Sequence, residues 1–407
     1  MKPSTLFSPS LADFEISEER GFLPVHDPRT ECPQSPTLER LGQQLPKLLV
    51  ARQMRQTVQE LSIAIPAASD EWDIETYRYA NRVLSFVAHG YIWETPDKPA
   101  DHLPACLAVP WHFVSRKLGR PPVLSYASYA LDNWRRLDRN KPIELDNIVL
   151  IQNFLGGLDE EWFVLIHVDI EDKAGRAMAG AIRALESVTE DDPDQVTKQL
   201  WVIASAQEAM CKTLDRMPER CDPYIYYNRV RPYIHGWKDN PALPNGLVYE
   251  GVEEFQNYPQ YFRGETGAQS SIIPALDTAL GITHTEDLLT HYLAEMRQYM
   301  PPLHRAFLET FERLKDEQGR PPLAGYVQDR KASEPDLWKA YHACVRLLQR
   351  FRATHLDYAV RYVHQQHTQH TTNATHIGTG GTPFMTYLQK HLEETQSVIN
   401  DVPNPFS

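Results

Sequence analysis

The sequence predicts an all-α protein. Over long stretches of the 407 residues, apolar side chains recur at spacings of three and four, which is the period of one face of an α-helix. The strict alternation of apolar and polar residues that is typical of strands is sparse. The glycine fingerprint of a nucleotide-binding strand–turn–helix unit is missing, so nothing in the sequence favours a mixed α/β fold.

Composition excludes several classes of function. Hydrophobic residues make up 42% and charged residues 23% of the chain, which is ordinary for a soluble globular protein. A net charge of −13 argues against binding to nucleic acid or to an anionic membrane. The five cysteines are scattered without a CxxC pair, which fits a reducing cytosol and argues against a disulfide framework. With no signal-like start and no apolar run of about 18 residues, we expect a cytoplasmic protein without a membrane partner.

The first part of the chain, residues 1–155, is expected to form a small helical domain. Ser35, followed by proline, is expected to begin its first helix. Ser69 or Asp70 is expected to cap the second. Residues 108–134 should hold a short helix, a Gly-Arg-Pro-Pro turn and a further helix.

Two glycines, Gly156 and Gly157, are expected to mark the joint to a larger helical domain of residues 156–407. Asp159 should cap a helix that continues to about Leu185. Further helices are predicted over 195–217, 273–280, 285–300, 302–314 and 383–398.

The longest helical pattern is expected to run from Ser333, as a hydroxyl N-cap, to about Gln366. His355 belongs to its apolar face, with Arg352 one turn earlier. One interpretation of His355 is a buried structural histidine. The other is an axial haem ligand, with Arg352 paired to a haem propionate. The helix alone leaves both interpretations open.

Two polar motifs follow this helix. Four histidines (His364, His367, His370 and His376) are dense enough to suggest a metal site, but no HExxH motif or carboxylate partner accompanies them, which favours an exposed loop. The GTGGT stretch, residues 378–382, lacks the lysine of a phosphate-binding loop. It is expected to be either a plain loop or a lid whose backbone approaches a ligand closely.

Two side-chain pairs have helical spacing. Tyr227 and Arg231 would share a face, which is either a surface face or an arginine that binds a carboxylate beside an aromatic wall. His167 and Glu171 would form either a surface pair or, with Phe163 one turn earlier, the wall of a pocket.

Six stretches occur in order between residues 121 and 382, namely PPVLSYA, GWKDNPALPNGLVYEG, GAQSS, MRQYMPPLHRAF, HLDYAVRYV and GTGGT. Together they resemble the indoleamine 2,3-dioxygenase family of haem enzymes, while residues 35–120 resemble it more loosely. The resemblance implies an all-α fold in which a small N-terminal domain lies over a larger helical bundle that holds one haem b.

The resemblance also implies roles for the residues around the haem. His355 would be the proximal ligand of the iron, and Arg352 would lie by a propionate. Asp277 would belong to the hydrogen-bonding shell behind the proximal histidine, where such a partner tunes the metal. Thr266 would lie near the haem, although GETGAQSS differs from the family's usual run of small residues.

The resemblance assigns six residues to the distal pocket and the substrate, namely Tyr126, Phe163, His167, Tyr226, Arg231 and Thr379. Two of them depart from the family pattern. His167 replaces the serine that is common in animal members, and its imidazole can accept a hydrogen bond from an indole N–H. Tyr226 replaces a frequent phenylalanine and adds a hydroxyl at the pocket edge.

The implied reaction is the haem-dependent cleavage by O2 of the indole C2–C3 bond of L-tryptophan, which gives N-formylkynurenine and belongs to tryptophan catabolism by the kynurenine pathway. A reductant would keep the iron ferrous. Arg231 would hold the substrate carboxylate, a haem propionate with Thr379 would hold the ammonium, Phe163 and Tyr126 would enclose the indole, and His167 would meet its N–H. Two alternatives stay open at this stage: an oxygen-binding or haem-sensing protein on the same scaffold, and a dioxygenase of another indole derivative.

Overall fold

Helices dominate the computed structural model of the protein, as predicted. The structure describes residues 9–59, 61–63, 71–284, 288–366 and 384–400. Within these ranges, strands are limited to two small pairs. β1 (His102–Leu103) pairs in parallel with β4 (Val248–Tyr249), and β2 (Trp134–Arg136) pairs antiparallel with β3 (Ile148–Leu150). The all-α class is therefore confirmed.

The first helix, α1 (Pro36–Ala51), begins where the sequence predicts. Ser35 precedes a proline at the first helical position, and Arg52 in the left-handed conformation ends the helix. Pro46 lies inside α1 without ending it. The short helix α2 (Met54–Val58) follows.

The second predicted cap is wrong. α3 (Ile74–Trp93) has Asp73 as its N-cap, and this carboxylate accepts a hydrogen bond from the backbone N–H of Thr76 at 2.8 Å. The expected caps, Ser69 and Asp70, lie outside the described residues. Asp73 stands three residues before the amide that needs an acceptor, which accounts for the difference.

The region after α4 (Ala105–Lys117) is less helical than predicted. Only a π-helical turn (Ala127–Leu131) forms there, and Trp134 begins β2. The side chain of Asn133 donates to the carbonyl of Gln152 at 2.8 Å, and its oxygen accepts from the Gln152 amide at 2.8 Å. These bonds hold the chain in the two-stranded pair.

Two long helices that follow each other in the chain pack together. α5 (Leu158–Thr189) and α6 (Pro193–Asp215) pack along each other. The N-cap of α5 is Gly157 rather than the expected Asp159, which lies in the first turn, and α5 extends past the expected end at Leu185. The predicted domain boundary at residue 155 falls just before α5, and the division into two domains remains a prediction.

The remaining helices follow α6 in the chain. They are α7 (Pro223–Ile225), α8 (Ile272–Leu280), α9 (Leu288–Met296), α10 (Pro302–Glu312), α11 (Pro322–Asp329), α12 (Pro335–Ala359) and α13 (Phe384–Asn400). α12 packs against both α6 and α13. α11 has no counterpart among the sequence predictions. No described helix combines the length and apolar character needed to cross a membrane.

α12 carries His355 and Arg352. It begins at Pro335 with Glu334 as its N-cap, so the expected cap at Ser333 is wrong by one residue. The Ser333 hydroxyl instead donates to the carbonyl of Arg330 at 3.3 Å. A π-helical turn (Val360–His364) follows α12.

Candidate active site

A cavity of about 750 Å³ lies among α5, α8, α12 and the chain around residues 226–231 and 265–270. This volume lies within the range of sites for cofactors and drug-sized ligands. Its wall combines aromatic and aliphatic side chains with a few charged groups. Among the predicted site residues, those that line it are Phe163, His167, Tyr226, Arg231, Thr266, Asp277, Arg352 and His355.

His355 projects from α12 into this cavity. The side chain of His355 faces the open space of the cavity and is accessible from there. The surrounding protein still withdraws the imidazole from bulk water, which lowers its pKa to about 4, and the nearby His167 and Arg352 lower it further. The imidazole is therefore neutral, which is the state that binds a metal ion. None of the described residues forms a hydrogen bond with the imidazole ring of His355.

An ion pair lies one turn before His355. Arg352 donates through Nη2 to both carboxylate oxygens of Asp277, at 2.8 and 2.6 Å, and through Nη1 to the Thr395 hydroxyl at 2.6 Å. Burial opposes ionisation of Asp277, but Arg352 and His284 outweigh it and lower the pKa of the carboxyl. Asp277 therefore contacts Arg352 rather than His355 itself in the described structure.

His284 extends this network to the last helix. Its Nε2 lies 3.1 Å from Asp277 Oδ2, and its Nδ1 lies 2.5 Å from Glu394 Oε2. Burial opposes the charge on His284, but the two carboxylates raise the pKa of its imidazole. The His391 ring stacks on it with centroids 4.0 Å apart, and burial with the neighbouring His284 lowers the pKa of His391 to about 4. One charged imidazole thus links α8, α12 and α13.

The same cluster has a composition that can bind a metal ion. The ligand atoms of His284, His391 and Glu394 lie within 4.8 Å of one another. However, both nitrogens of His284 already face carboxylate oxygens at ion-pair distance. A protonated imidazole between two acids accounts for this geometry without a metal.

The His284 network should make stability depend on pH. Because folding raises the pKa of His284 above its ordinary value of 6.5, its contribution to stability is present below about pH 6.5 and is lost as the pH rises through the raised pKa. We expect the apparent melting temperature of wild type to fall between about pH 6 and pH 8, and His284→Gln to fall less. The difference between the two proteins separates the contribution of His284 from that of the buried carboxyl groups, which both proteins share. His102→Gln, an exposed histidine beside Asp101, is the control; identical pH slopes for all three proteins would contradict the assignment.

His167 and Phe163 form the aromatic side of the cavity on α5. Their ring centroids are 4.7 Å apart, and the Tyr226 ring lies 4.7 Å from Phe163. The Nδ1 of His167 lies 2.7 Å from the carbonyl oxygen of Phe163. Because a carbonyl only accepts, Nδ1 carries the proton and donates, which leaves Nε2 as an acceptor. Burial lowers the pKa of His167, which keeps the ring neutral.

Tyr126 lies behind this wall rather than in it. Its ring meets His167 edge-on with centroids 5.9 Å apart, and its hydroxyl donates to Glu171 Oε1 at 2.8 Å. The Ser270 hydroxyl donates to the same oxygen at 2.9 Å. Glu171 is fully buried, so the surface-pair interpretation of His167 and Glu171 is wrong. Burial raises the pKa of Glu171 to about 7, although the hydrogen bonds from Tyr126 and Ser270 act to lower it.

Tyr226 and Arg231 occupy an irregular segment, in which a π-helical turn (Tyr226–Val230) is followed by a 3₁₀ turn (Arg231–Ile234). Arg231 is 2% exposed and its guanidinium lies 5.4 Å from the centroid of the Tyr227 ring. The Tyr227 and Arg231 side chains are both buried, which excludes the interpretation that they form a surface face. An extra residue in a helical turn re-aims side chains, and such turns are frequent at functional sites.

The segment opposite this turn supplies Thr266 and a residue that the sequence analysis did not single out, Glu265. The Thr266 hydroxyl accepts from the amide of Ala268 at 3.4 Å and begins a 3₁₀ turn. Glu265 is 3% exposed and lines the cavity, and burial raises the pKa of its carboxyl to about 8. The only signal for it was the unusual composition of GETGAQSS.

Some predicted positions lie outside the described residues. They are Thr379 with the rest of GTGGT, and His367, His370 and His376. Of the four histidines in that polar stretch, only His364 is described, at the end of the π-helical turn after α12. The lid and metal-site interpretations of this stretch remain predictions.

The profile of a protein family described as indoleamine 2,3-dioxygenase matches residues 10–398. The chain belongs to this family. Human indoleamine 2,3-dioxygenase 2 is 32% identical to it, over 95% of this chain and 94% of the human protein. Indoleamine 2,3-dioxygenase 1 of Rattus norvegicus is 33% identical, over 97% and 96%. Indoleamine 2,3-dioxygenase of Saccharomyces cerevisiae is 30% identical, over 95% and 93%. The resemblance that the six stretches carry is thus confirmed.

As a member of the indoleamine 2,3-dioxygenase family, the chain is an enzyme of the haem-dependent 2,3-dioxygenase type. Its cavity fits such a cofactor. His355 presents a neutral imidazole that faces the open space, the cavity is about 750 Å³ and largely apolar, and the Arg352 cation lies at its wall. An imidazole can ligate a haem iron, and an arginine can pair with a haem propionate.

Proposed function

We propose that this member of the indoleamine 2,3-dioxygenase family cleaves the indole C2–C3 bond of L-tryptophan with O2 to give N-formylkynurenine. One observation supports this most strongly: a single cavity joins a neutral metal-binding imidazole, His355, to an acceptor imidazole, His167, and a buried arginine, Arg231. The first suits an iron, the second an indole N–H, and the third a carboxylate. The five unpaired cysteines support a cytoplasmic location.

Haem b is the proposed cofactor, and His355 would hold its iron. Arg352 would lie by a propionate, with its guanidinium oriented by Asp277. When bound and ferrous, the haem supplies the chemistry of O2, which is the cofactor's own. A cellular reductant would maintain the ferrous state.

The protein itself would orient the substrate. The indole would lie against Phe163, whose ring already stacks near Tyr226, and its N–H would donate to the free acceptor Nε2 of His167. The guanidinium of Arg231 would hold the carboxylate through charge-assisted bonds. Thr379, if it closes over the substrate as the family resemblance implies, would complete the enclosure.

Tyr126 is better described as a positioning residue than as a substrate contact. Its hydroxyl is bonded to Glu171, and its ring edge supports the His167 ring. The bond between His167 Nδ1 and Phe163 fixes the tautomer, and Tyr126 restricts the ring from the other side. Together they would hold the acceptor nitrogen toward the cavity.

The direct test is to mix the reduced, haem-loaded enzyme with L-tryptophan in air and follow the absorbance of N-formylkynurenine. Steady formation of the product would support the proposal. A Soret band without product would mean another indole substrate, and a stable oxygen complex unaffected by tryptophan would favour an oxygen-binding protein. Failure to load haem at all would refute the role of His355.

Replacing His167 should change selectivity for the indole nitrogen. Because Nε2 accepts from the indole N–H, His167→Ala should lower kcat/KM for L-tryptophan while 1-methyltryptophan, which has no N–H, loses less. One hydrogen bond predicts a change in the ratio of the two constants of roughly tenfold. Phe163→Leu is the control, because it removes an aromatic contact that both substrates share. Equal losses for both substrates in His167→Ala would rule out the hydrogen bond.

A further inference from the structure

Glu171 is a buried acid on α5, one helical turn after His167. Its Oε1 accepts a hydrogen bond from the Tyr126 hydroxyl at 2.8 Å and another from the Ser270 hydroxyl at 2.9 Å. Tyr126 and Ser270 lie 45 and 99 residues from Glu171 in the chain. A single carboxyl oxygen therefore joins α5 to two distant segments, one of which lines the cavity through Ser270.

Tyr126 is held at its main chain as well as at its hydroxyl. Its amide donates to the side-chain oxygen of Gln269 at 2.9 Å, and the side-chain nitrogen of Gln269 donates to the carbonyl of Gly264 at 2.9 Å. Gln269 and Ser270 are neighbours, so the same segment binds the backbone of Tyr126 directly and its hydroxyl through Glu171. Because both ends are fixed, the Tyr126 ring has little freedom to tilt.

This ring limits one side of the space in which the His167 ring can move. The Tyr126 and His167 rings meet edge-on at an interplanar angle of 72°, with centroids 5.9 Å apart. On the other side, Nδ1 of His167 donates to the Phe163 carbonyl at 2.7 Å. The direction of the acceptor Nε2 then depends on where the Tyr126 ring lies, and the position of that ring depends on Glu171.

A second buried acid on the same helix shows that burial alone does not create this link. Asp169 is 4% exposed, binds Lys173 at 3.0 Å and accepts from the Thr213 hydroxyl at 2.6 Å. Lys173 is on α5 and Thr213 is on α6, so these bonds hold the two helices together. The partners of Glu171 instead lie behind His167 and at the cavity wall.

We infer that Glu171 is a positioning residue that, through Tyr126, holds the acceptor nitrogen of His167 toward the N–H of the substrate indole. Glu171 itself does not contact the substrate. Supporting residues of this kind keep a functional side chain within about 0.5 Å of its productive geometry. The inference rests on the proposed function and adds the group that maintains its selectivity for an unsubstituted indole nitrogen.

Two substitutions separate the acceptor oxygen from the rest of the Glu171 side chain. Glu171→Leu removes the acceptor from both hydroxyls, so the Tyr126 ring can shift. Glu171→Gln keeps a side-chain oxygen that both hydroxyls can reach. Because burial raises the pKa of Glu171 to about 7, the neutral acid is already present at neutral pH, and a neutral amide of the same shape should fold normally.

The measurement is the ratio of kcat/KM for L-tryptophan to kcat/KM for 1-methyltryptophan, with haem content recorded for each variant. Glu171→Leu should lower this ratio by roughly three- to tenfold, because the whole hydrogen bond that His167 accepts is the upper limit of the loss. Glu171→Gln should stay within about twofold of wild type. Asp169→Leu, which also removes a buried carboxyl from α5, is the matched control and should leave the ratio unchanged even if it lowers stability.

A double variant tests whether Glu171 acts through His167. In the His167→Ala background the hydrogen bond to the indole N–H is already absent, so Glu171→Leu should not lower the ratio further. A general disturbance of the core would lower both kcat/KM values in either background and leave their ratio unchanged. If Glu171→Leu does not fold, Tyr126→Phe replaces it, because it keeps the ring and removes only the hydroxyl that donates to Glu171.

The outcomes also separate this inference from the proposed function. A wild-type ratio in Glu171→Leu, an equal fall in Asp169→Leu, or a further fall in the His167→Ala background overturns the role of Glu171 while the dioxygenase proposal stands. A wild-type protein that converts no tryptophan refutes the proposed function, and the inference fails with it. A lower ratio in Glu171→Leu that is restored in Glu171→Gln and absent in the His167→Ala background supports the inference.

Discussion

Replacing His355 by glycine should remove haem from the protein, and imidazole added to the buffer should restore it. The side chain faces a cavity of about 750 Å³, so its removal leaves room for a free imidazole at the same place. Loss of an iron ligand should cost more than the roughly 10- to 100-fold in affinity that loss of an outer-shell partner costs. The measurement is haem content and Soret position after desalting, with and without imidazole.

The matched control is His342→Gly on the same helix. Glycine costs about 1 kcal/mol relative to alanine in any helix interior, and His342→Gly carries that cost too. His342 is 5% exposed and packs against Trp338 with ring centroids 4.3 Å apart. The His342→Gly variant should retain haem. If His355→Gly kept a wild-type Soret band, another residue would hold the iron, with His167 across the cavity the first candidate.

Periodicity was sufficient to predict how α12 presents its side chains. Within one helix, spacing fixes which residues share a face, so the cavity-facing position of His355 and the turn-earlier position of Arg352 followed from the sequence. The exact start did not, because Glu334 rather than Ser333 precedes the first helical residue, and end positions depend on local hydrogen bonds. The π-helical turn after Ala359 could not be predicted either, because one extra residue per turn barely alters a hydrophobic pattern.

Contacts between distant segments were the part that residue patterns could not predict. Arg352 and Asp277 are 75 residues apart, and His284 and Glu394 are 110 apart. These pairs exist because α8, α12 and α13 pack together, which no local spacing records. The family resemblance pointed to Asp277, but not to its ion pair with Arg352.

The distal side shows the same limit. Spacing placed His167 and Glu171 on one face of α5, yet it could not show that Glu171 is buried and bonded to Tyr126 and Ser270. Those partners come from other parts of the chain. Glu265 was missed because an acid in a small-residue loop has no periodicity to reveal its direction.

Replacing Arg231 by alanine should lower kcat/KM for L-tryptophan by on the order of a hundredfold or more. Arg231 is 2% exposed, so two charge-assisted bonds to a carboxylate would form away from water, where each is strong. Burial lowers the pKa of Arg231 while Tyr226 and Tyr227 oppose this, and an arginine remains charged at neutral pH. Steady-state rates of N-formylkynurenine formation measure the loss.

Tryptamine separates a carboxylate contact from a structural role of Arg231. It lacks the carboxylate, so its low turnover should change little in Arg231→Ala, whereas a collapsed cavity would affect both substrates. Arg231→Lys keeps the charge but not the planar pair of donors, and its activity should fall between wild type and Arg231→Ala. Arg229→Ala, two residues away and exposed, controls for the loss of an arginine from the same segment. Near-normal tryptophan turnover in Arg231→Ala would refute the carboxylate role, and parallel losses for tryptophan and tryptamine would show that Arg231 holds the cavity together instead.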